Sequence, residues 1–197
     1  MTTIDIQNIT TPSVAADLPG YRPGTWVIDP VHSEVGFSVR HLMVSKTRGR
    51  FTSFSGEVST GNDPHDSKVE VSIELGSIDT GNADRDAHVR SADFFDVEQF
   101  PIMTYRSTAV RRDGDRFLVD GELSLHGVTT SVPLALEVNG FAADTPFGDT
   151  RVGFSATAEI NRDDFGITFN AALESGGVML ANKVQISLEI EAVLQDS

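Results

Sequence analysis

The 197-residue sequence contains no cysteine, which excludes disulfide bonds and thiolate chemistry. Basic residues are also scarce, with 15 Lys and Arg against 29 Asp and Glu, for a formal net charge of −14. A chain of this charge is repelled by phosphate backbones and by anionic membrane surfaces, so we expect no nucleic acid partner. No stretch approaches the roughly 20 apolar residues of a membrane span, so we expect no integral membrane association.

The N-terminal region also lacks a basic segment followed by an apolar one, which predicts a cytoplasmic protein without an export signal. Residues 1–24 are interrupted by several Pro and Gly residues and are predicted to form a flexible arm. Residues 25–197 are long enough to bury a core and are predicted to form one domain.

Most of that domain alternates apolar and polar residues with a period of two, which indicates strands with one buried face. The pattern is clearest over residues 35–39, 69–75, 117–125, 132–138, 152–160 and 184–190. Such strands, without a second layer of helices, must close or stack to bury their apolar faces. An all-β, eight-stranded antiparallel barrel fits the count of strands, and a two-sheet sandwich is the alternative.

One stretch, residues 84–96, breaks the alternation and has helical spacing. Asn82 precedes it as a candidate N-cap, and Asp86 and Arg90 are spaced to pair across one turn. One face of this helix carries a cation and an imidazole at one end and apolar side chains at the other. The segment is either a lid over the barrel or a connecting helix that plugs the core. The residues of this face are Arg85, His88, Val89, Ala92 and Phe95.

Catalytic and metal-binding motifs are not apparent. The five histidines match no zinc signature, although closure of a barrel could still bring three of them together. There is no Gly-x-Ser-x-Gly motif, and Asp164-Phe165-Gly166 lacks the other kinase motifs and is predicted to be a turn. We therefore expect no catalytic residues, no metal site and no cofactor.

Apolar residues give the stronger indication of function. The sequence has 12 Phe residues, and several recur on the predicted inner faces. Small residues lie among them and would leave room for a ligand; they are Gly36, Gly121, Gly153, Ala156 and Ala158. An eight-stranded barrel either holds one small ligand or is filled by its own side chains, and both alternatives stay open. An apolar lumen favours a hydrocarbon ligand, because each buried methylene is worth about 0.8 kcal/mol.

A series of short motifs extends in order over residues 25–193, and together they resemble the YceI-like family of lipocalin-like, polyisoprenoid-binding proteins. They are Trp26, Asp29, His32-Ser33, Phe37, His41, Gly49-x-Phe51, Phe54-x-Gly56, Ser77-Ile78-x-Thr80, Arg85-Asp86-x-His88-x-Arg90, Phe94-Phe95-Asp96, Pro101, Gly121-x-Leu123, His126-Gly127-x-Thr129 and Arg162-x-x-Phe165-Gly166. The resemblance implies a lipocalin-like barrel that binds, stores or transports an isoprenoid lipid without catalysis. A polyprenyl quinone or a prenyl phosphate would be such a lipid.

The predicted ligand-binding residues combine contacts to the lipid tail with two contacts to its head group. Arg85 and His88 are the candidates for the head group. The tail contacts are Phe37, Val39, Phe51, Val71, Ile73, Phe94, Phe95, Leu123, Phe154 and Phe165. One alternative is an enzyme that uses His32, His88 or His126 inside the barrel, and another is an interaction domain with a filled core. Assembly as a homodimer is also left open.

Overall fold

The structure, a computed structural model, describes residues 18–143, 145–172 and 178–195. Over these residues the chain forms twelve β-strands and one α-helix. The helix is α1 (Ala83–Arg90). The strands are β1 (Gly24–Ile28), β2 (Glu34–His41), β3 (Ser45–Phe51), β4 (Phe54–Thr60), β5 (Lys68–Glu74), β6 (Ile78–Asp79), β7 (Ile102–Asp113), β8 (Arg116–Leu125), β9 (Val128–Ser131), β10 (Leu134–Ala142), β11 (Arg151–Asn161) and β12 (Leu180–Leu194).

Eight of these strands close into an antiparallel barrel, in the order β1-β4-β5-β7-β8-β10-β11-β12. Pairing of β1 with β12, from Trp26 opposite Leu194 to Ile28 opposite Ala192, completes the ring. The other four strands extend the sheet beyond the ring. β2 pairs with the N-terminal half of β12 and β3 pairs with β2, while β6 pairs with β3 and β9 with β8. The predicted eight-stranded barrel is confirmed, and the sandwich alternative is wrong.

Strands β3 and β4 lie outside the ranges in which the alternation is clearest. β3 begins at Ser45 and ends at Phe51, and β4 begins at Phe54 after a break at residues 52–53. The sequence hides the first half of β3 because its inward positions are Thr47 and Gly49 rather than large apolar residues. Alternation of apolar and polar residues therefore does not appear there.

Helix α1 is shorter than the helix predicted over residues 84–96. It begins as predicted, because the Asn82 side chain accepts a hydrogen bond from the Arg85 N–H at 2.9 Å. It ends at Arg90, and the following residues form turns in which Asp96 has a positive φ of 47°. The predicted Asp86–Arg90 pair is wrong: Asp86 accepts from Thr80, and Arg90 donates to the carbonyls of residues 76 and 78.

The two ends of the barrel differ. The helix end carries α1, the β2–β3 turn at residues 42–44 and the segment 166–169. The tryptophan end is filled by Trp26, which is fully buried and donates from Nε1 to Thr60 Oγ1 at 3.0 Å. Residues 1–17 of the predicted arm lie outside the described residues. In its described part, Tyr21 packs on Phe141 and donates to a loop carbonyl at the tryptophan end.

Candidate functional site

The barrel encloses a cavity of about 480 Å³, within the range of small-molecule binding sites. The inner faces of the strands line it with aliphatic and phenyl groups, because every second residue of each strand points inward. Among the described residues that line it there is no Asp or Glu, although the sequence has 29 of them. Its charged lining residues are Arg85 and Arg162, both at the helix end. The cavity is therefore apolar along its length and cationic at one end.

Eleven of the twelve predicted ligand-binding residues line this cavity. They are Phe37, Val39, Phe51, Val71, Ile73, Arg85, His88, Phe94, Phe95, Leu123 and Phe154. The twelfth, Phe165, is only 1% exposed and packs within the core behind the lining. Its carbonyl lies 3.1 Å from His126 Nδ1, which places it in a structural contact. We therefore leave Phe165 out of the site proposed below.

A row of three phenyl rings crosses the wall of the cavity near the helix end. The Phe37 and Phe51 ring centroids are 5.8 Å apart, and those of Phe51 and Phe95 are 6.0 Å apart. Gly49 makes this row possible, because a Cβ at that position would lie 2.5 Å from Phe37 Cζ. The rings offer a continuous apolar surface to a ligand.

The small residues that the sequence analysis placed on the inner faces have different roles. Gly36 and Ala156 line the cavity, as expected for residues that leave space. Gly121 does not, because a Cβ there would lie 2.3 Å from the Tyr105 hydroxyl, which fills the space. That hydroxyl lies 3.0 Å from the Val119 carbonyl and 3.1 Å from the Val132 carbonyl. Tyr105 therefore lines the cavity and also joins β8 to the start of β10 through these carbonyls.

Arg85 is held at the helix end by Thr80. Its Nε donates to Thr80 Oγ1 at 2.7 Å and its Nη2 to the Thr80 carbonyl at 2.9 Å. Thr80 in turn donates from its backbone N–H and its hydroxyl to the buried carboxylate of Asp86. In the described part of the chain, no carboxylate lies within ion-pair distance of Arg85. Arg85 is therefore an oriented cation at the cavity, with no counter-ion among the described residues.

His88 lies at the same end in an aromatic cluster. Its ring packs edge-on against Phe94 at 5.1 Å and Phe169 at 5.0 Å between centroids. Its Nε2 lies 2.8 Å from an Asp93 carboxylate oxygen. One edge of the imidazole is thus used by a carboxylate, while the side chain still lines the cavity.

Arg162 was missed as a site residue. It is 7% exposed and donates from Nε to the Ala181 carbonyl and from Nη1 to the carbonyls of Ile167 and Phe169. Burial lowers the pKa of its guanidinium from the ordinary value. Arg162 joins the segment 166–169 to β12 and places a second positive charge beside the lumen. Its only signal in the sequence is its place in the Arg162-x-x-Phe165-Gly166 motif.

In the part of the chain that the structure describes, the histidines lie at separate places. Only His41 and His88 line the cavity, whereas His126 packs on Phe100. His32 lies outside the barrel, where its ring and the carboxylates of Asp29 and Glu191 have ligand atoms within 4.8 Å of one another.

A guanidinium already occupies the space between those two carboxylates. Arg151 Nη1 lies 2.8 Å from Asp29 and also contacts Glu191, and a third carboxylate, Asp149, lies 2.8 Å from Nη2. His32, the backbone N–H of residue 31 and Arg151 lower the pKa of Asp29 to about 2. A metal ion would have to displace Arg151 from the cluster, so the arrangement favours an ion-pair network joining β11, β12 and the β1–β2 loop.

Comparison with known proteins identifies a family that the sequence matches and solved structures of similar fold. Residues 26–192 match the family described as YceI-like domain. The sequence is 37% identical to Protein YceI of Salmonella newport over 165 residues, 83% of each chain. The fold is similar to that of Burkholderia cenocepacia BcnA, with a TM-score of 0.72 and 22% identity over 83% of this chain and 98% of that one. It is also similar to a polyisoprenoid-binding domain from Saccharophagus degradans, with a TM-score of 0.65 and 19% identity over 88% of this chain and all of that one.

Proposed function

The chain belongs to the YceI-like family, and on that basis we propose that it binds an isoprenoid lipid in the lumen of its barrel without catalysing a reaction. The observation that carries the proposal is the apolar cavity of about 480 Å³ with cations at one end. A solved structure of similar fold is described as a polyisoprenoid-binding domain, which supports the same class of ligand.

The lining favours one orientation of the lipid. A prenyl tail would lie along the middle of the lumen, in contact with residues such as Val71 and Phe154. Its head group would lie at the helix end, near Arg85, His88 and Arg162. These side chains are hydrogen-bond donors, so they suit a head group rich in acceptors, such as a phosphate or a quinone carbonyl.

The cavity argues against the interaction domain with a filled core. For the enzyme alternative, only His88 of its three candidate histidines lines the cavity, and its Nε2 is bonded to Asp93. No specific feature of the site favours a reaction. A role in transport, a cytoplasmic location and assembly as a homodimer stay predictions. Within the described residues, no helix has the length and apolar content that crossing a bilayer requires.

Lipid extraction from the purified protein, followed by mass spectrometry, tests the proposal. We expect a prenyl lipid in the wild type. Ala156→Phe, which places a ring in the lumen, should lose most of it. Thr157→Phe is the matched control, because the next residue of β11 is exposed on the outer face. Wild-type protein that carries no prenyl lipid and takes up none, or Ala156→Phe protein that retains the full amount, would contradict the proposal.

A further inference from the structure

The β2–β3 hairpin exposes three consecutive apolar side chains at the helix end. Leu42, Met43 and Val44 are 38%, 60% and 83% exposed. These residues, 42–44, are called the hairpin tip below. The Leu42 N–H donates to the carbonyl of residue 179, whose side chain lines the cavity, so the tip lies beside the lumen. Residue 178, also at this edge, is a Val that is 42% exposed.

The backbone of the tip is in a conformation that its residues disfavour. Leu42 and Met43 have φ values of 51° and 60°, so both central residues of the turn closed by the Val44 N–H and the His41 carbonyl are left-handed. Asn and Gly usually occupy such positions, because side chains with larger groups on Cβ crowd the backbone there. The sequence therefore keeps large apolar side chains at a place where local stability favours small polar ones.

A basic strip flanks this tip. From residue 35 to residue 56 the sequence has no Asp or Glu but has four of its 15 Lys and Arg residues. They are Arg40, Lys46, Arg48 and Arg50, all exposed, and they define the basic strip. Arg50 pairs with Asp79 at 3.3 Å. The other three have no carboxylate within ion-pair distance in the part of the chain that the structure describes.

Two of these cations are placed against each other. Arg40 and Lys46 are directly opposite in the β2–β3 register, an arrangement that destabilises an isolated strand pair. The hairpin thus breaks three local rules at once: left-handed apolar residues, exposed apolar side chains and an opposed like-charge pair. Such departures from local stability are characteristic of functional surfaces.

We propose that the β2–β3 hairpin docks this protein on an anionic lipid bilayer, with the tip among the lipid head groups and the basic strip against their phosphates. Apolar side chains beside a cluster of cations fit a surface that is both apolar and negatively charged. A nucleic acid offers the charge but no place for an aliphatic tip.

The net charge of −14 does not act as a whole at the docking face, and two carboxylates of the helix end, Asp79 and Asp93, already contact Arg50 and His88. Salt screens charges over about 8 Å at physiological ionic strength, so only those near the bilayer act strongly. The 15 residues of β12 extend about 50 Å along the barrel wall at about 3.3 Å each. Acidic residues toward the tryptophan end are therefore several screening lengths away. The inference goes beyond the proposed function and holds whether or not the lumen carries an isoprenoid.

A rival explanation accounts for part of the hairpin. Residues 45–49 of β3 pair only with β2, so they form a free sheet edge in the described structure. Charged residues on such an edge prevent pairing with another chain. That explains Lys46 and Arg48 but not the exposed tip, since apolar side chains at the end of a free edge would promote association.

Vesicle flotation with full-length protein tests the inference, using phosphatidylcholine vesicles with and without phosphatidylglycerol. We expect the wild type to float with the anionic vesicles and to be released as salt is raised. Val44→Ser should lower binding about tenfold, as expected for loss of one aliphatic side chain from the bilayer interface. Lys46→Glu should lower binding about tenfold on anionic vesicles only.

Two matched controls separate the hairpin from general effects. Val31→Ser removes an equally exposed valine, 81% against 83%, from the β1–β2 loop. Lys68→Glu makes the same charge change at the tryptophan end. Both should bind vesicles within about twofold of the wild type. The lipid held in the lumen, measured in the same samples, should not change in Val44→Ser, which separates failure of docking from failure of lipid binding.

Three results would overturn the inference. One is wild-type protein that does not float with anionic vesicles. Another is an equal loss of binding in Val31→Ser and Val44→Ser. The third is dissociation of an oligomer, seen by sedimentation, in Val44→Ser or Lys46→Glu protein whose vesicle binding is unchanged. The hairpin would then be a contact between copies of this chain.

Discussion

Replacing Phe95 by Asp is expected to weaken lipid binding far more than replacing Arg85 by Gln. Phe95 lines the cavity, with its ring 6.0 Å from that of Phe51. An Asp at this position would place a carboxylate beside the tail, among groups that offer it no hydrogen bond. Arg85 is exposed, and two of its guanidinium nitrogens already donate to Thr80.

The magnitudes follow from those surroundings. A prenyl unit has five carbons, so burying it contributes about 4 kcal/mol before the cost of ordering the chain. An unpaired polar group beside the tail costs roughly 2–3 kcal/mol, which corresponds to a loss of affinity of about 30- to 150-fold. A partly hydrated contact between a head group and Arg85 is worth about 1 kcal/mol or less, or about fivefold. Contacts with the tail should therefore dominate the affinity.

Titration with prenyl lipids of increasing length, followed by tryptophan fluorescence or calorimetry, measures both effects. Phe95→Leu is the control that keeps the site apolar, and Val39→Asp repeats the test on β2 in case Phe95→Asp folds poorly. Circular dichroism checks that each variant keeps its β-sheet spectrum. If Arg85→Gln abolishes binding while both Asp variants bind normally, the assignment of affinity to the tail is wrong.

Three further predictions concern the scaffold. Trp26→Ala should lower the free energy of unfolding by about 3–5 kcal/mol, because the side chain is fully buried. Phe147→Ala, at a residue 78% exposed, should change it by less than about 1 kcal/mol. Denaturant titration compares the two variants, and equal losses of stability would refute the argument. The pKa of Asp29 is lowered to about 2, so its ionised form stabilises the fold above about pH 4 and this stabilisation is lost as the pH falls toward 2. Unfolding curves at several pH values should show Asp29→Asn to be about 1 kcal/mol less stable than the wild type near neutrality. The difference in stability should vanish at low pH, and a difference that stays constant with pH would contradict the prediction. Gly49→Ala should weaken binding of the longest prenyl chains, because its Cβ would push the Phe37 ring into the cavity. Gly76→Ala, whose Cβ meets nothing within 4 Å, should bind them as the wild type does. Equal affinities of the two variants for the longest chains would show that Gly49 does not control the space in the lumen.

The barrel was predictable because its strands obey one simple rule. In β8 the inward positions 117, 119, 121, 123 and 125 are all buried, and the sequence shows this as strict alternation. The start of the helix was also predictable, since Asn82 caps it as expected. Its end was not, because the apolar residues after Arg90 continue the helical spacing while the backbone turns away to pack them separately.

Other features depend on contacts that no sequence pattern encodes. Gly121 has the inward position of a residue that leaves a cavity, yet the ring of Tyr105 from the neighbouring strand fills the space. Arg162 looks like a surface residue in the sequence, but its guanidinium donates to three carbonyls from two segments, 166–169 and β12. The surroundings of Gly121 and of Arg162 depend on which residues of other segments lie beside them. Those neighbours are fixed only when the barrel closes.

The alternation of side chains along each strand explains both the acidic outer surface and the apolar lumen. In β5, Val69, Val71 and Ile73 line the cavity, while the alternate positions Glu70 and Glu74 are exposed on the outer face. Because the same alternation holds around the ring, the many carboxylates are placed outside and the lumen is left without any in the described lining. Two groups of cations lie near the opening of the lumen: Arg85 and Arg162 beside the cavity, and the basic strip of the β2–β3 hairpin. Both lie at the helix end, so a single end of the barrel combines an apolar opening with positive charge, which is the combination that an anionic lipid head group requires.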